Sequence, residues 1–270
     1  MDPRIAKLLT DAEKSWGHGA LVRLGDAVDP EKIDCIPTGF PALDVALGVG
    51  GLPCGRISEI SGPDSCGKQA LAASLIAQCQ GQEGVAVYLD PGRRLDPEQM
   101  RAYGVDPRAL LVAQPEDDLL ALELAIRLAR GGDVRLVVFD SGSRVRSGGL
   151  SLALRRLVAA VDGKQIAFVF IGSFRSDSFG AQALRFFASV RLTMERREWI
   201  RRGRDVMGCR SLVTVAKNKL AAPLKEVELD LLFFRFPPAA PVLQMWRSDG
   251  EEAASSTDLP KTLKRAALGN

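Results

Sequence analysis

The stretch Gly62-Pro63-Asp64-Ser65-Cys66-Gly67-Lys68 constrains this chain more than any other. It follows a short run, Arg56 to Ser61, that reads as a strand, and it opens a helical pattern over 69 to 80. Two glycines and a lysine at GxxxxGK spacing between strand and helix describe a phosphate loop. Backbone N–H groups curl around the phosphate oxygens, and the helix N-terminus and the lysine balance their charge. The competing reading, a chance glycine-rich turn, is weakened by Leu136-Val137-Val138-Phe139-Asp140, a second strand that ends in an acid. One position departs from the pattern: Gln69 stands where a phosphate loop places the Ser or Thr whose hydroxyl ligates Mg²⁺. An amide on that longer side chain does not suit the short reach of such a site. For the cofactor, ATP or ADP with weakened Mg²⁺ binding is the expectation, and no metal site is assigned.

Around the loop, short apolar runs alternate with helical patterns. Strands are expected at Val85 to Asp90, Leu110 to Gln114, Leu136 to Asp140 and Gln165 to Gly172, and helices at 95 to 103, 117 to 130 and 149 to 161. Leu136-Val137-Val138-Phe139 and Ala167-Phe168-Val169-Phe170 are apolar on both alternating faces, as strands covered by helices on both sides must be. This order predicts an α/β fold with a mostly parallel, doubly wound sheet. Beyond residue 188 the pattern changes to strands without helices, Ala188 to Arg196, Cys209 to Lys217 and Val227 to Phe234, read as an antiparallel extension of that sheet. Residues 5 to 16 carry apolar side chains at 5, 8, 9, 12 and 16, an amphipathic helix, and Ala20 to Leu24 reads as a lone strand. Together they are expected to dock on another surface through Leu8, Leu9, Trp16, Leu21, Val22 and Leu24. The expected organisation is a docking element at 1–32, a core at 33–247 and a flexible tail at 248–270.

Composition sets outer limits. Of 270 residues, 46% are hydrophobic and 26% charged, with a net charge of +3; disorder and fibrous architecture do not suit that balance. No apolar run approaches the ~20 residues that span a bilayer, and Met1-Asp2-Pro3-Arg4 does not open a secretory signal. Five cysteines, at 35, 54, 66, 79 and 209, form no CxxC pair, and the one histidine, His18, stands apart from them. That usage argues against a disulfide framework or a zinc site and for a reducing cytoplasm.

The sequence resembles the RecA recombinase family over roughly residues 5 to 245. The likeness runs in order through Ile36-Pro37-Thr38-Gly39, Leu43-Asp44-Val45-Ala46-Leu47-Gly48, Gly50 to Arg56, the phosphate loop, Leu95-Asp96-Pro97, Gln114-Pro115, Asp140-Ser141, Phe187 to Leu192 and Lys217 to Pro223. It implies a RecA-like P-loop NTPase core and an N-terminal element through which subunits stack. It also implies Asp96 at the adenine edge, Asp140 as the metal-side acid, and Lys217 and Lys219 reaching across to a neighbour's nucleotide. The plain alternative for each is a solvated or capping charge. Three family positions differ. Gly92 replaces the water-activating glutamate, Ser173 the glutamine that senses the γ-phosphate, and Gln99 the tyrosine that stacks on adenine. The two DNA-binding loops, expected after Asp140 and after Ser173, are shortened to Gly142–Gly149 and Phe174–Gly180.

The resemblance narrows to shortened, hydrolysis-deficient RecA-like chains of the ImuA group. It implies an accessory role in SOS-induced mutagenic translesion synthesis, with no catalytic residues. The implied partners are a RecA filament or subunit, a Y-family-like polymerase adaptor and an error-prone polymerase. Two alternatives stay open: a DNA-dependent ATPase in which Gln69 ligates metal, and a DNA-binding module. The latter would use Arg196, Arg197, Arg201, Arg202, Arg204 and Arg210 around Trp199, on an expected hairpin. That patch reads equally as a charged, soluble hairpin tip, and an acidic protein surface is a third option. Weak DNA binding and self-association are compatible with either reading, and a membrane partner is not expected.

Overall fold

A computed structural model describes residues 2–18, 20–23, 33–140, 149–172 and 179–233. Its centre is an eight-stranded sheet in the order β10-β9-β8-β3-β7-β6-β4-β5. The strands are β3 (Arg56–Ser61), β4 (Ala86–Leu89), β5 (Leu110–Ala113), β6 (Leu136–Asp140), β7 (Ala167–Gly172), β8 (Val190–Arg202), β9 (Asp205–Asn218) and β10 (Glu226–Leu232). A separate two-stranded ribbon pairs β1 (Cys35–Ile36) with β2 (Leu52–Pro53). The helices are α1 (Pro3–Trp16), α2 (Pro41–Leu47), α3 (Lys68–Gly81), α4 (Pro97–Ala102), α5 (Asp118–Gly131), α6 (Leu150–Val161) and α7 (Phe179–Phe187).

The double-sided apolar strands split as their two-residue period dictates. Leu136 and Val138 of β6 join one core with Ala167, Val169 and Ile171 of β7 and the buried side of α3. Val137 and Phe139 join the opposite core with Phe168, Phe170 and residues of α5 and α6. α3 is enclosed on nearly every side, from Ala70 to Ile76 and at Cys79, which explains why its sequence lacks a polar stripe. Each large side chain so buried contributes about 1.5–3 kcal/mol.

The antiparallel extension forms as expected, with β8 joined parallel to β3 and antiparallel to β9, and β10 antiparallel to β9. Two expectations need correction. Ala20 to Arg23 form no strand: Ala20 donates its N–H to Gly17 O in a turn, and the apolar Leu21 and Val22 are exposed. A strand needs a ladder partner, and residues 20–23 lie outside both sheets of the described residues. Two helices, α2 and α7, escaped the sequence pattern. α1 forms as expected, with Asp2 accepting the Arg4 N–H at 2.9 Å as its cap and Pro3 in its first turn. Only Ala12 of that helix is buried, while Leu8 and Trp16 are exposed and Leu9 is half-buried. Leu24, Ser141, Gly142 to Ser147, Ser173, Phe174 to Ser178 and the tail at 248–270 lie outside the described residues.

Candidate phosphate site

Parallel pairing aligns the ends of β3, β7, β6 and β4: Ser61 is opposite Gly172, Asp140 opposite Ile171, and Leu89 opposite Phe139. The phosphate loop and the acids Asp90 and Asp140 therefore share one sheet edge, where open α/β sheets gather their ligands. Residues 62 to 67 connect β3 to α3. The loop is braced from β8 and β9. Arg196 Nη1 donates to Ser65 O at 3.0 Å, and Ser211 Oγ donates to Cys66 O at 2.9 Å. Gly67 sits at φ +92°, and a Cβ there would lie 2.0 Å from Leu231 Cδ1, so both backbone and space require glycine. Gly67 gives α3 no side-chain cap, which leaves first-turn N–H groups for a phosphate oxygen. Lys68 Nζ folds back onto Gly62 O (2.8 Å) and Pro63 O (2.6 Å). These residues fit a nucleotide's phosphates once the lysine turns outward. Burial pushes the Cys66 thiol up, so it is not a thiolate nucleophile.

The acid side is built differently. Asp140, with a side chain only 3% exposed, accepts from Arg94 Nη2 on Oδ1, and from Tyr88 Oη (2.9 Å) and Gln69 Nε2 (3.1 Å) on Oδ2. Burial, reinforced by the neighbouring Asp140 carboxylate, raises the Tyr88 hydroxyl, keeping it protonated as a donor. Three donors converge on the oxygens that a divalent cation would need, and one of them is itself a cation. The residues do not fit Mg²⁺. Among the described residues no group of three or more His, Cys, Asp or Glu side chains is placed to hold a metal.

Arg94 and Tyr88 are the site residues that the sequence reading missed. Buried Asp90 is a positioning group: Oδ1 accepts the Arg94 N–H at 2.9 Å and Oδ2 the Leu95 N–H at 3.0 Å. That turn carries Arg94 back toward Asp140. The available signals were a basic residue four positions after a strand-end acid and one hydroxyl in the run Val85 to Asp90.

The remaining expected residues scatter. Asp96 caps α4, accepting from Glu98 N at 2.9 Å and Gln99 N at 3.4 Å through Oδ1. Lys217 Nζ donates to Arg185 O (2.7 Å) and Phe186 O (3.2 Å) in the last turn of α7, so in this chain it caps a helix rather than reaching outward. Burial, then the neighbouring Lys219, lowers its ammonium. Lys219 is exposed.

The arginine hairpin forms. Arg202 pairs with Asp205, leaving Gly203-Arg204 as a two-residue turn with Gly203 at φ +62°. Its arginines do not act as one patch. Arg210 bridges Glu198 and Asp230, Arg197 pairs with Glu195 at 3.3 Å, and Arg196 stacks 4.0 Å over Trp199. The charge at the tip comes from the exposed Arg201, Arg202 and Arg204.

Known proteins align with this architecture. The RecA N-terminal domain family matches residues 4–235. Protein RecA of Nocardia farcinica is 39% identical over 261 residues, covering 86% of this chain and 74% of that protein. Protein RecA of Cutibacterium acnes is 40% identical over 258 residues, covering 85% and 73%. A crystal structure of the RadB recombinase superposes with a TM-score of 0.58 at 19% identity, covering 72% of this chain and 94% of that one, a likeness of fold. With its sheet, its phosphate loop and most of its length accounted for in this way, the chain belongs to the RecA family.

Proposed function

We propose that this chain is an accessory member of the RecA family that works by protein contact in mutagenic translesion synthesis, without strand exchange or efficient ATP hydrolysis. The observation that carries this reading is the closed acid side of the phosphate site. Asp140 is bonded to Arg94, Tyr88 and Gln69, and Gly92 supplies no general base. Groups that act together in phosphoryl transfer lose nearly all rate when one is missing, so the combined change leaves a binding site at most. The nucleotide reading of Gly62 to Gln69 is part of the proposal; Asp96, Lys217 and Lys219 are already engaged or set apart.

Support for a docking role comes from α1 and the turn after it. Leu8, Trp16, Leu21 and Val22 expose apolar surface on an element whose own chain buries only Ala12. A RecA subunit or filament is the partner proposed for the 1–32 element. The Y-family-like adaptor and the error-prone polymerase are the wider assembly. ATP turnover with and without single-stranded DNA tests the first half, and stimulated turnover abolished by Lys68→Ala would reject it. Pull-down of RecA by the full chain and by a chain lacking residues 1–25 tests the second, and equal recovery would reject it.

A further inference from the structure

A divalent cation in a phosphoryl site links an acid to phosphate oxygens. At Asp140 the acid end of that link is occupied by a side chain of the protein, Arg94. Arg94 reaches the carboxylate because Asp90 turns the 91–95 segment, and its stem passes close beside Gly92. A Cβ on Gly92 would lie 3.1 Å from Arg94 Nε, 3.5 Å from its Cγ and 3.6 Å from its Cδ. The emptied position of the catalytic glutamate is thus the space along which the guanidinium stem runs. Gln69 completes the arrangement: in place of a metal-ligating hydroxyl it turns an amide N–H onto Asp140. The Arg94 side chain is 45% exposed, and a guanidinium carries five N–H donors in a fixed fork. One Nη bonds Asp140 Oδ1, while Gln69, in the first turn of α3, bonds Oδ2 of the same carboxylate, so the two side chains meet at one group.

We propose that the Arg94 guanidinium is a built-in replacement for the divalent cation, holding Asp140 on one side and the phosphate oxygens of a nucleoside di- or triphosphate on the other. This site then binds its nucleotide without Mg²⁺. The proposal rests on the phosphate-loop reading of residues 62–69, and two measurements on the full chain keep the two separable.

The first uses no nucleotide. The melting temperatures of wild type, Arg94→Ala and Arg94→Gln are compared with and without millimolar Mn²⁺, a stand-in for Mg²⁺. Both variants are expected to melt about 2–4 °C lower than wild type and to recover part of that loss in Mn²⁺, because Asp140 Oδ1 is then open to the cation while Tyr88 and Gln69 still hold Oδ2. Wild type is expected not to respond. Stabilisation of wild type by Mn²⁺, or no gain in either variant, overturns the replacement.

The second measures affinity for a fluorescent ATP analogue in Mg²⁺ and in EDTA. Wild type is expected to bind equally within about twofold, and Arg94→Ala to lose about tenfold or more in EDTA, roughly 1.4 kcal/mol. A tenfold loss by wild type in EDTA overturns the proposal. If wild type binds no analogue in either buffer, the phosphate-loop reading falls and the phosphate half of this proposal falls with it, while the Mn²⁺ result still decides the Asp140 half.

Discussion

Replacing Asp140 with alanine separates an acid held by the protein from one held in readiness for a metal. An acid kept for a metal lies near other carboxylates and repels them, so its removal is neutral or stabilising. Here Tyr88 is fully buried and its hydroxyl donates to Asp140 Oδ2 at 2.9 Å. Without that acceptor a buried O–H is stranded, at about 1–3 kcal/mol. Gln69 is half-buried and Arg94 partly exposed, so both rehydrate and together add about 0.5 kcal/mol. The expected loss is about 1.5–3.5 kcal/mol, a melting-temperature drop of about 3–14 °C for a domain of this size. Urea unfolding of Asp140→Ala, Tyr88→Phe and the double variant completes a cycle. Removing both partners of a buried bond is nearly neutral, so Tyr88→Phe should return about 1–2 kcal/mol in the alanine background while costing stability alone. An Asp140→Ala protein as stable as wild type, or additive single effects, would refute this account of the site.

Alkaline pH should weaken the fold through its buried thiols and phenols. Burial raises Cys79 to about 11 and Cys54 to about 12 from 9.0, and raises Tyr88 and Tyr103 above 10.0. Folded values above unfolded ones mean the stability is present below the unfolded values and lost as pH rises from there through the folded ones. Melting temperatures between pH 7 and pH 11 are therefore expected to hold up to about pH 9 and then fall, and an unchanged value at pH 11 would contradict this. Changing Arg201, Arg202 and Arg204 together to alanine is expected to move stability by no more than about 0.5 kcal/mol by urea unfolding. Measured affinity for single-stranded DNA checks the tip, whose salt slope should drop by about 2–3 in that variant if the hairpin is the DNA contact; an unchanged slope assigns the contact elsewhere. Gly67→Ala is expected to cost about 1–3 kcal/mol in the same unfolding assay. Leu231→Ala added to it should not restore wild-type stability, because the φ of +92° remains.

The parallel sheet was legible because its central strands are apolar on both faces, a pattern that only two covering layers explain. β6 and β7 carry it, and their side chains do divide between two cores. The end of β8 reads in the sequence as the turn of a hairpin, not as strand: past Arg196 its residues are mostly charged and solvent-facing, and main-chain pairing with β9 extends the strand to Arg202. α7 is short, and its omission had a consequence, since Lys217 caps that helix and could be read only as an outward-reaching charge while the helix was unknown. The loop itself was plain from glycine and lysine spacing. The bond from Arg94 to Asp140 was not, because it depends on two residues whose effect is purely geometric: Asp90, which turns the backbone, and Gly92, which leaves room.

On the proposed reading, the departures at Gln69 and Gly92 and the bond from Arg94 to Asp140 form one adjustment. Two carboxylates at adjacent strand ends with neither metal nor partner would repel each other in a poorly hydrated setting. Asp90 avoids this by taking backbone N–H groups, and Asp140 by taking a guanidinium, a phenol and an amide. A glutamate returned to position 92 alone would meet the Arg94 stem and face its positive charge, becoming a further ion-pair partner instead of a base for water. A hydroxyl returned to position 69 alone would remove one donor from Asp140 and leave Arg94 in the metal's place. On the proposed reading a change at 69 or 92 alone therefore leaves Asp140 closed, and only replacing Arg94 itself opens an oxygen of that carboxylate to a cation.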